Sequence, residues 1–355
     1  MDPRYCANQL RDLAAGLLRA AGADRDVAAC VADTLVEGDL LGHDTHGLAQ
    51  LAAYLKELES GGMTKSGSPH RVGGKPAAML WDGRRLPGPW LMKLALDALI
   101  PTARELGVAS LAIRRSHHIA CLAVYLRRAA EEGMLLVMAS SDPQTASVAP
   151  FGGTRGVFTP NPIAAGFPTS DGAALIDISA SITTNGMSSR KLAAGVKFEH
   201  DWLLDAQGNP TNDPAVFRTD PPGTIQPVGG LSHGHKGYGL ALLVEALTGG
   251  LAGFGRADPR EDWGTTVHLT VYDPDAFGGE ADFLRQMDWV AQACRNNPPR
   301  PGGAPVRLPG EAGLARRAEQ MENGVRLHPG IRPALEPYCG KFGLPFPSQL
   351  AEKRL

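Results

Sequence analysis

The feature that most constrains this chain is a change in apolar spacing at Val108. Before it, apolar residues recur every three or four positions, the period of an amphipathic helix. Leu10, Leu13, Leu17 and Leu18 share one face that Gly22 ends. Val27, Cys30, Val31 and Leu35 form a second face after Asp24 as N-cap, and Leu48, Leu51, Tyr54, Leu55 and Leu58 form a third that stops at Gly61 and Gly62. The spacing predicts a fourth helix over 90–106, which Pro101 kinks or divides. From Val108 onward the apolar runs shorten to strand length. Residues 108–113, 121–132 and 134–139 read as one βαβ unit, followed by strands at 164–168, 174–179, 197–204 and 266–272 and an apolar helix over 238–251. The proline- and glycine-rich stretch 296–309 reads as a wrapping segment leading to a basic helical tail. The pattern predicts a mixed α/β protein, and 355 residues exceed what one hydrophobic core usually serves.

Several function classes are disfavoured at once. Thirty-five basic against 37 acidic side chains give a formal charge of -2, so no general field draws in nucleic acid or an anionic membrane. Aromatic content of 6% is too thin for a base-stacking platform. No run approaches the ~20 apolar residues of a membrane helix, and residues 1–11 lack the order of a secretory signal, which predicts a cytoplasmic protein. Five scattered cysteines without a CxxC suggest neither a disulfide framework nor a structural zinc site.

Histidine carries the chemical signal, in three pairs. His43 and His46 sit in Asp39-Leu-Leu-Gly-His-Asp-Thr-His-Gly47, just before the third helix, whose positive end disfavours imidazolium. His117 and His118 close Arg114-Arg-Ser-His-His118 between a strand and a helix, where α/β proteins place working residues. His233 and His235 open the apolar helix in Ser232-His-Gly-His-Lys-Gly-Tyr-Gly239. The bland reading of any one of them is a surface or hydrogen-bonded core residue. A zinc site is a weak alternative, because HxxH here lacks the HExxH order. The chain contains no GxGxxG, GxxxxGK[ST] or GxSxG, so a nucleotide would need a different cradle.

Taken in order, Asp39 to Gly47, Arg115-Ser-His-His118, Val148-Ala-Pro-Phe-Gly-Gly153, Asn161-Pro162, Asp177-Ile-Ser-Ala-Ser181, Lys236-Gly-Tyr-Gly-Leu240 and Leu308-Pro-Gly-Glu311 resemble the type 2 malate/L-lactate dehydrogenase family over residues 5 to 330. The forms are most similar to its hydroxycarboxylate dehydrogenase B branch. The resemblance implies a non-Rossmann α/β fold, in which a helical N-terminal region joins a mixed, largely antiparallel sheet. It divides the chain into a substrate-side region 1–120, an NAD(P)-binding domain 121–235, a region 236–330 completing the core and a tail 331–355. It also implies a homodimer and a small 2-hydroxy or 2-oxo acid as partner, with NAD or NADP as cofactor and NAD favoured.

By motif matching, His118 aligns with the family's catalytic acid/base and His46 with the histidine of its first motif. His118 would take the hydroxyl proton when a 2-hydroxy acid is oxidised, and His46 either orients it or hydrogen-bonds the developing alkoxide. Cofactor contacts fall on Ser141, Asp177, Ile178, Ser179, Lys236, Gly310 and Glu311. Thr45 and Gln50 belong to the substrate side. Gln50 stands where many relatives carry an arginine suited to a carboxylate, leaving Arg114 and Arg115 as replacement cations. A further departure is Thr159-Pro-Asn-Pro162 in place of a Gly-Thr-Asn-Pro turn. Ser188, Ser189 and Arg190 offer a contact for a 2′-phosphate, with a plain exposed turn as the other reading. Reduction of a cyclic imino acid and a metal-dependent hydrolase are the alternative activities.

Overall fold

The computed structural model describes residues 3–259 and 263–350. Its longer helices are α1 (Ala7–Ala20), α2 (Arg25–Leu41), α3 (Leu51–Ser60), α4 (Gly88–Leu106), α5 (Ala123–Glu131), α6 (Asn185–Ala194), α7 (His235–Glu245), α8 (Glu280–Arg295), α9 (Glu311–Asn323) and α10 (Ile331–Phe342). The first three form where the apolar spacing predicts them. Leu10, Leu17, Leu35, Leu51 and Leu55 are fully buried in one core, each contributing about 1.5–3 kcal/mol by leaving water. Asp24 holds the N-cap position of α2 without a side-chain capping bond. The segment 331–350 adds α10, whose Ile331, Leu335 and Cys339 enter this same helical core. The α4 helix runs undivided through Pro101, leaving one carbonyl without its helical partner.

The main sheet has seven strands, β1 (His70–Lys75), β2 (Ala78–Asp82), β3 (Val108–Ser116), β4 (Leu135–Ser141), β5 (Pro162–Thr169), β6 (Gly172–Ser179) and β7 (Thr265–Tyr272). Their order is β1-β2-β3-β7-β4-β5-β6. The β2–β3 pair is parallel and the other neighbours are antiparallel. The predicted βαβ unit exists, but β7 inserts between its two strands and pairs with both. A second core, of Leu96, Leu111, Leu126, Leu136 and Leu269 among others, fills the space between this sheet and helices α4 and α5.

Two expectations need correction. The hairpin β1–β2 lies in a region the spacing gave wholly to helices, where Gly73 and Gly74 disfavour a helix and the exposed first strand carries no apolar period. Residues 197–204 are mostly loop; only Leu203–Leu204 pairs, in a small three-stranded sheet with Pro210–Thr211 and Thr224–Ile225. No described helix is long and apolar enough to cross a membrane.

Candidate active site

A cavity of about 670 Å³ opens where the α2–α3 connection meets the end of β3 and the start of α6. The α2–α3 loop is held from behind. Gly42 adopts φ +88 and sends its N–H to the Asp39 carbonyl, while the buried Asp39 carboxyl accepts the Leu48 N–H at 2.8 Å. Gly47 is obligatory here, because a Cβ would lie 2.3 Å from Asp39 Oδ1. This fixes His46 at the cavity wall, its Nδ1 2.8 Å from Thr45 Oγ1.

Across from it, β3 ends in Ser116 and the chain bends through His117 and His118. Arg115 and Ala120 on either side have φ of +51 and +58, conformations that non-glycine residues hold only when their surroundings demand it. The two histidines part company at the bend. His117 is fully buried, its Nε2 3.5 Å from Glu57 Oε2, whereas His118 lines the cavity. His118 Nδ1 lies 2.8 Å from the Tyr54 hydroxyl, which is also 3.0 Å from the His118 carbonyl, and the Ala120 N–H approaches the same nitrogen at 3.3 Å. With Nδ1 engaged, Nε2 is the ring nitrogen left for a ligand. The His46 and His118 rings stack with centroids 5.7 Å apart, and Trp263 covers His118 at 5.0 Å.

Burial sets the protonation of this group. It lowers His118 well below the ordinary imidazole value, reinforced by the neighbouring His46 and His117. Burial and the Arg85 charge bring His117 down to about 3. His46 is lowered by burial against the opposing pull of Asp177. The site therefore presents neutral imidazoles at pH 7, competent to accept a proton.

A second cavity of about 410 Å³ adjoins the first and shares Gly42, His43, Asp177 and Ile178 with it. Together they make an elongated cleft. Thr45, Gln50, Asp177, Ile178 and Ser179 line the first cavity, and Gly310 lines the second. Gln50 donates from Nε2 to the Thr45 carbonyl at 2.7 Å.

Five expected contacts stand elsewhere. Arg114 and Arg115 both pair with Asp82, at 3.0 and 3.1 Å, and line neither cavity. Ser141 is turned away by strand alternation and donates to Glu245 at 2.8 Å, so Ser140 and Asp142 face the cavity instead. Glu311 is taken by Arg295 at 2.6 Å and by the Leu308 N–H. Lys236 is exposed on α7 and lines neither cavity. Among the described residues lining the first cavity there is no lysine or arginine. The Arg190 guanidinium reaches the His46 loop, binding Asp44 through Oδ1 at 2.9 Å and through its carbonyl at 3.1 Å. Sequence reasoning missed Tyr54 and Trp263 as site residues. Tyr54 reads as one more apolar position of α3, and Trp263 precedes a strand with nothing local to mark it.

The sequence model of the malate/L-lactate dehydrogenase family matches residues 6–336. The chain is 29% identical to hydroxycarboxylate dehydrogenase B of Escherichia coli O157:H7 over 350 residues, covering 96% of this chain and 95% of that protein. It is 32% identical to the (2R)-3-sulfolactate dehydrogenase (NADP(+)) of Chromohalobacter salexigens over 321 residues, covering 88% and 91%. Its fold is similar to that of delta1-piperideine-2-carboxylate reductase from Pseudomonas syringae pvar. tomato, with a TM-score of 0.82 at 26% identity over 94% of this chain and 99% of that one.

Proposed function

The chain belongs to the malate/L-lactate dehydrogenase family, oxidoreductases of hydroxycarboxylates, and on that premise we propose that it interconverts a small 2-hydroxy acid and its 2-oxo acid with a nicotinamide dinucleotide. The observation that carries this reading is the pair of stacked imidazoles, His46 and His118, on the wall of a cavity that shares Gly42, His43, Asp177 and Ile178 with a second one. The cleft suits a dinucleotide. Asp177 and Ile178 form its waist, and Gly310, at φ +93 with a would-be Cβ 2.8 Å from Leu175, lets the Pro309–Glu311 turn pack directly against β6 at the wall of the second cavity. With most strand pairs antiparallel and no glycine fingerprint, the cofactor site is of non-Rossmann type. When bound, the nicotinamide accepts or supplies the hydride.

The protein's own residues handle the proton. In oxidation, His118 Nε2 accepts the proton of the substrate hydroxyl; this takes the tautomer with Nδ1–H donating to the Tyr54 hydroxyl, which in turn donates to the His118 carbonyl, in place of the long 3.3 Å approach of the Ala120 N–H to Nδ1. That chain holds the tautomer in which Nε2 carries the lone pair, and it turns the ring toward the substrate. In reduction the same nitrogen returns the proton. His46, fixed through Thr45, stacks beside His118 and orients it. Trp263 excludes water from the buried side. The substrate carboxylate meets Gln50, Thr45 and the amide groups at the start of α6, with Arg190 behind Asp44 as the adjacent positive charge.

NAD is favoured over NADP, although a relative named for NADP(+) supports the other choice. We read the protein as a cytoplasmic homodimer. Leu231 and Leu251, each 59% exposed, with Leu242 and Leu243 form an apolar face on and beside α7 that supports self-association. A second substrate reading, reduction of a cyclic imine, is favoured by the likeness to the piperideine carboxylate reductase. The test is consumption of NADH or NADPH by purified protein with a panel of 2-oxo acids and cyclic imino acids. Turnover with a 2-oxo acid supports the main reading, turnover with cyclic imines alone supports the second, and failure of both cofactors with every compound refutes both.

A further inference from the structure

We propose that His43, Cys121 and Asp177 form a binding site for a thiophilic divalent cation of the zinc class, at the waist of the cleft. The three side chains come from separate elements, the loop after α2, the turn before α5 and the end of β6. Their ligand atoms all lie within 4.8 Å of one another. Among the described residues this is the one His, Cys, Asp and Glu grouping close enough to share an ion, and it includes neither His46 nor His118.

The donors differ in how they are held. Asp177 Oδ2 accepts the Ala123 N–H at 3.0 Å and lies 3.8 Å from Cys121 Sγ, so carboxylate and thiol are already paired and oriented. Among the described residues the His43 ring has no hydrogen-bond partner, and it lines both cavities, so it is free to turn inward. Donors on one tetrahedral zinc are about 3.5 Å apart, which asks the ring and the thiol to close by roughly 1 Å, a rotamer adjustment. Thiolate, imidazole and carboxylate together select zinc and cobalt over magnesium or calcium, which prefer all-oxygen shells. On binding, the Cys121 S–H bond breaks, the sulfur lone pair goes to the metal and the proton leaves to solvent. The fourth position faces the cavity and takes water. A ligand running from one cavity into the other must pass these side chains, so cation and dinucleotide exclude each other; this last clause rests on the function proposed above.

The experiment is a cobalt(II) titration of metal-free protein, followed by the thiolate-to-cobalt charge-transfer band. A single equivalent should produce the band. Cys121→Ala should abolish it, His43→Ala should weaken cobalt binding by about a hundredfold, and Cys294→Ala should change nothing. His43→Ala, on an accessible loop, carries the test if the buried Cys121→Ala chain does not fold. Absence of the band, or its survival in Cys121→Ala or at full affinity in His43→Ala, overturns the site. Adding NADH or NADPH separates the two proposals. Loss of the band as NADH or NADPH binds supports mutual exclusion, a band unchanged by either bound cofactor overturns the exclusion, and a normal band with binding of neither NADH nor NADPH sinks the dehydrogenase reading while the metal site stands.

Discussion

Replacing Asp39 by asparagine should stabilise this protein increasingly as pH rises. Asp39 is 2% exposed, its Oδ2 takes the Leu48 N–H, and its Oδ1 is buried with no hydrogen-bond partner. Burial raises its pKa from 3.8 to about 8, against a lowering by the Leu48 amide. The folded state thus holds a proton that the unfolded chain releases above pH 4. A group with a raised folded pKa contributes stability that is fully present below the unfolded value and is lost as pH climbs through the folded one. Between pH 4 and pH 7 that is about three pH units at 1.36 kcal/mol each, or roughly 4 kcal/mol. Asparagine has nearly the same shape, keeps an acceptor for Leu48 and carries no proton to release. The difference in unfolding free energy between variant and wild type should therefore grow by about 4 kcal/mol from pH 4 to pH 7, measured by urea denaturation at matched ionic strength. Taking the difference cancels the histidines, whose lowered values act in the opposite direction. A difference that stays flat across this range would show that Asp39 is ionised in the fold and would refute the reasoning.

Other outcomes follow from the same geometry. His118→Ala should lower kcat by about a hundredfold or more with little change in melting temperature, read by steady-state kinetics and thermal unfolding. Tyr54→Phe keeps the buried ring but frees His118 Nδ1, and should cost about 1 kcal/mol of stability and roughly tenfold in kcat, with substrate KM nearly unchanged. Because burial and two adjacent imidazoles lower His118, kcat/KM for hydroxy acid oxidation should stay level down through pH 6.5 and fall only below it, whereas reduction, which needs the protonated ring, should speed up as pH falls. An oxidative limb at or above pH 6.5 contradicts this. Gly88→Ala should destabilise by about 1–3 kcal/mol and impair turnover, since its Cβ would sit 2.3 Å from the His118 carbonyl at the start of α4.

What the sequence by itself determined was local. Apolar spacing set α1, α2 and α3, because a helix of three or four turns must bury the face its own residues define. The same spacing marked β3 and the strand 266–272. It failed at 70–82 and at 197–204, where polar, glycine-rich or irregular stretches carry no period to read. The ordered motifs also pointed to the loops that hold His46 and His118. Tertiary structure decided which neighbours those loops meet. Only the pairing of β7 between β3 and β4 turns Ser141 toward Glu245 and leaves Ser140 facing the cavity. Only packing shows that Asp82 consumes Arg114 and Arg115, and that Arg190 reaches Asp44 across 146 positions of chain. His117 and His118 are adjacent in sequence, yet one is buried beside Glu57 while its neighbour lines the cavity. Periodicity is a property of a few consecutive residues. A site assembled from the α2–α3 loop, the end of β3, β6 and Trp263 depends on contacts between distant segments, and these exist only once the whole chain has closed on its cores.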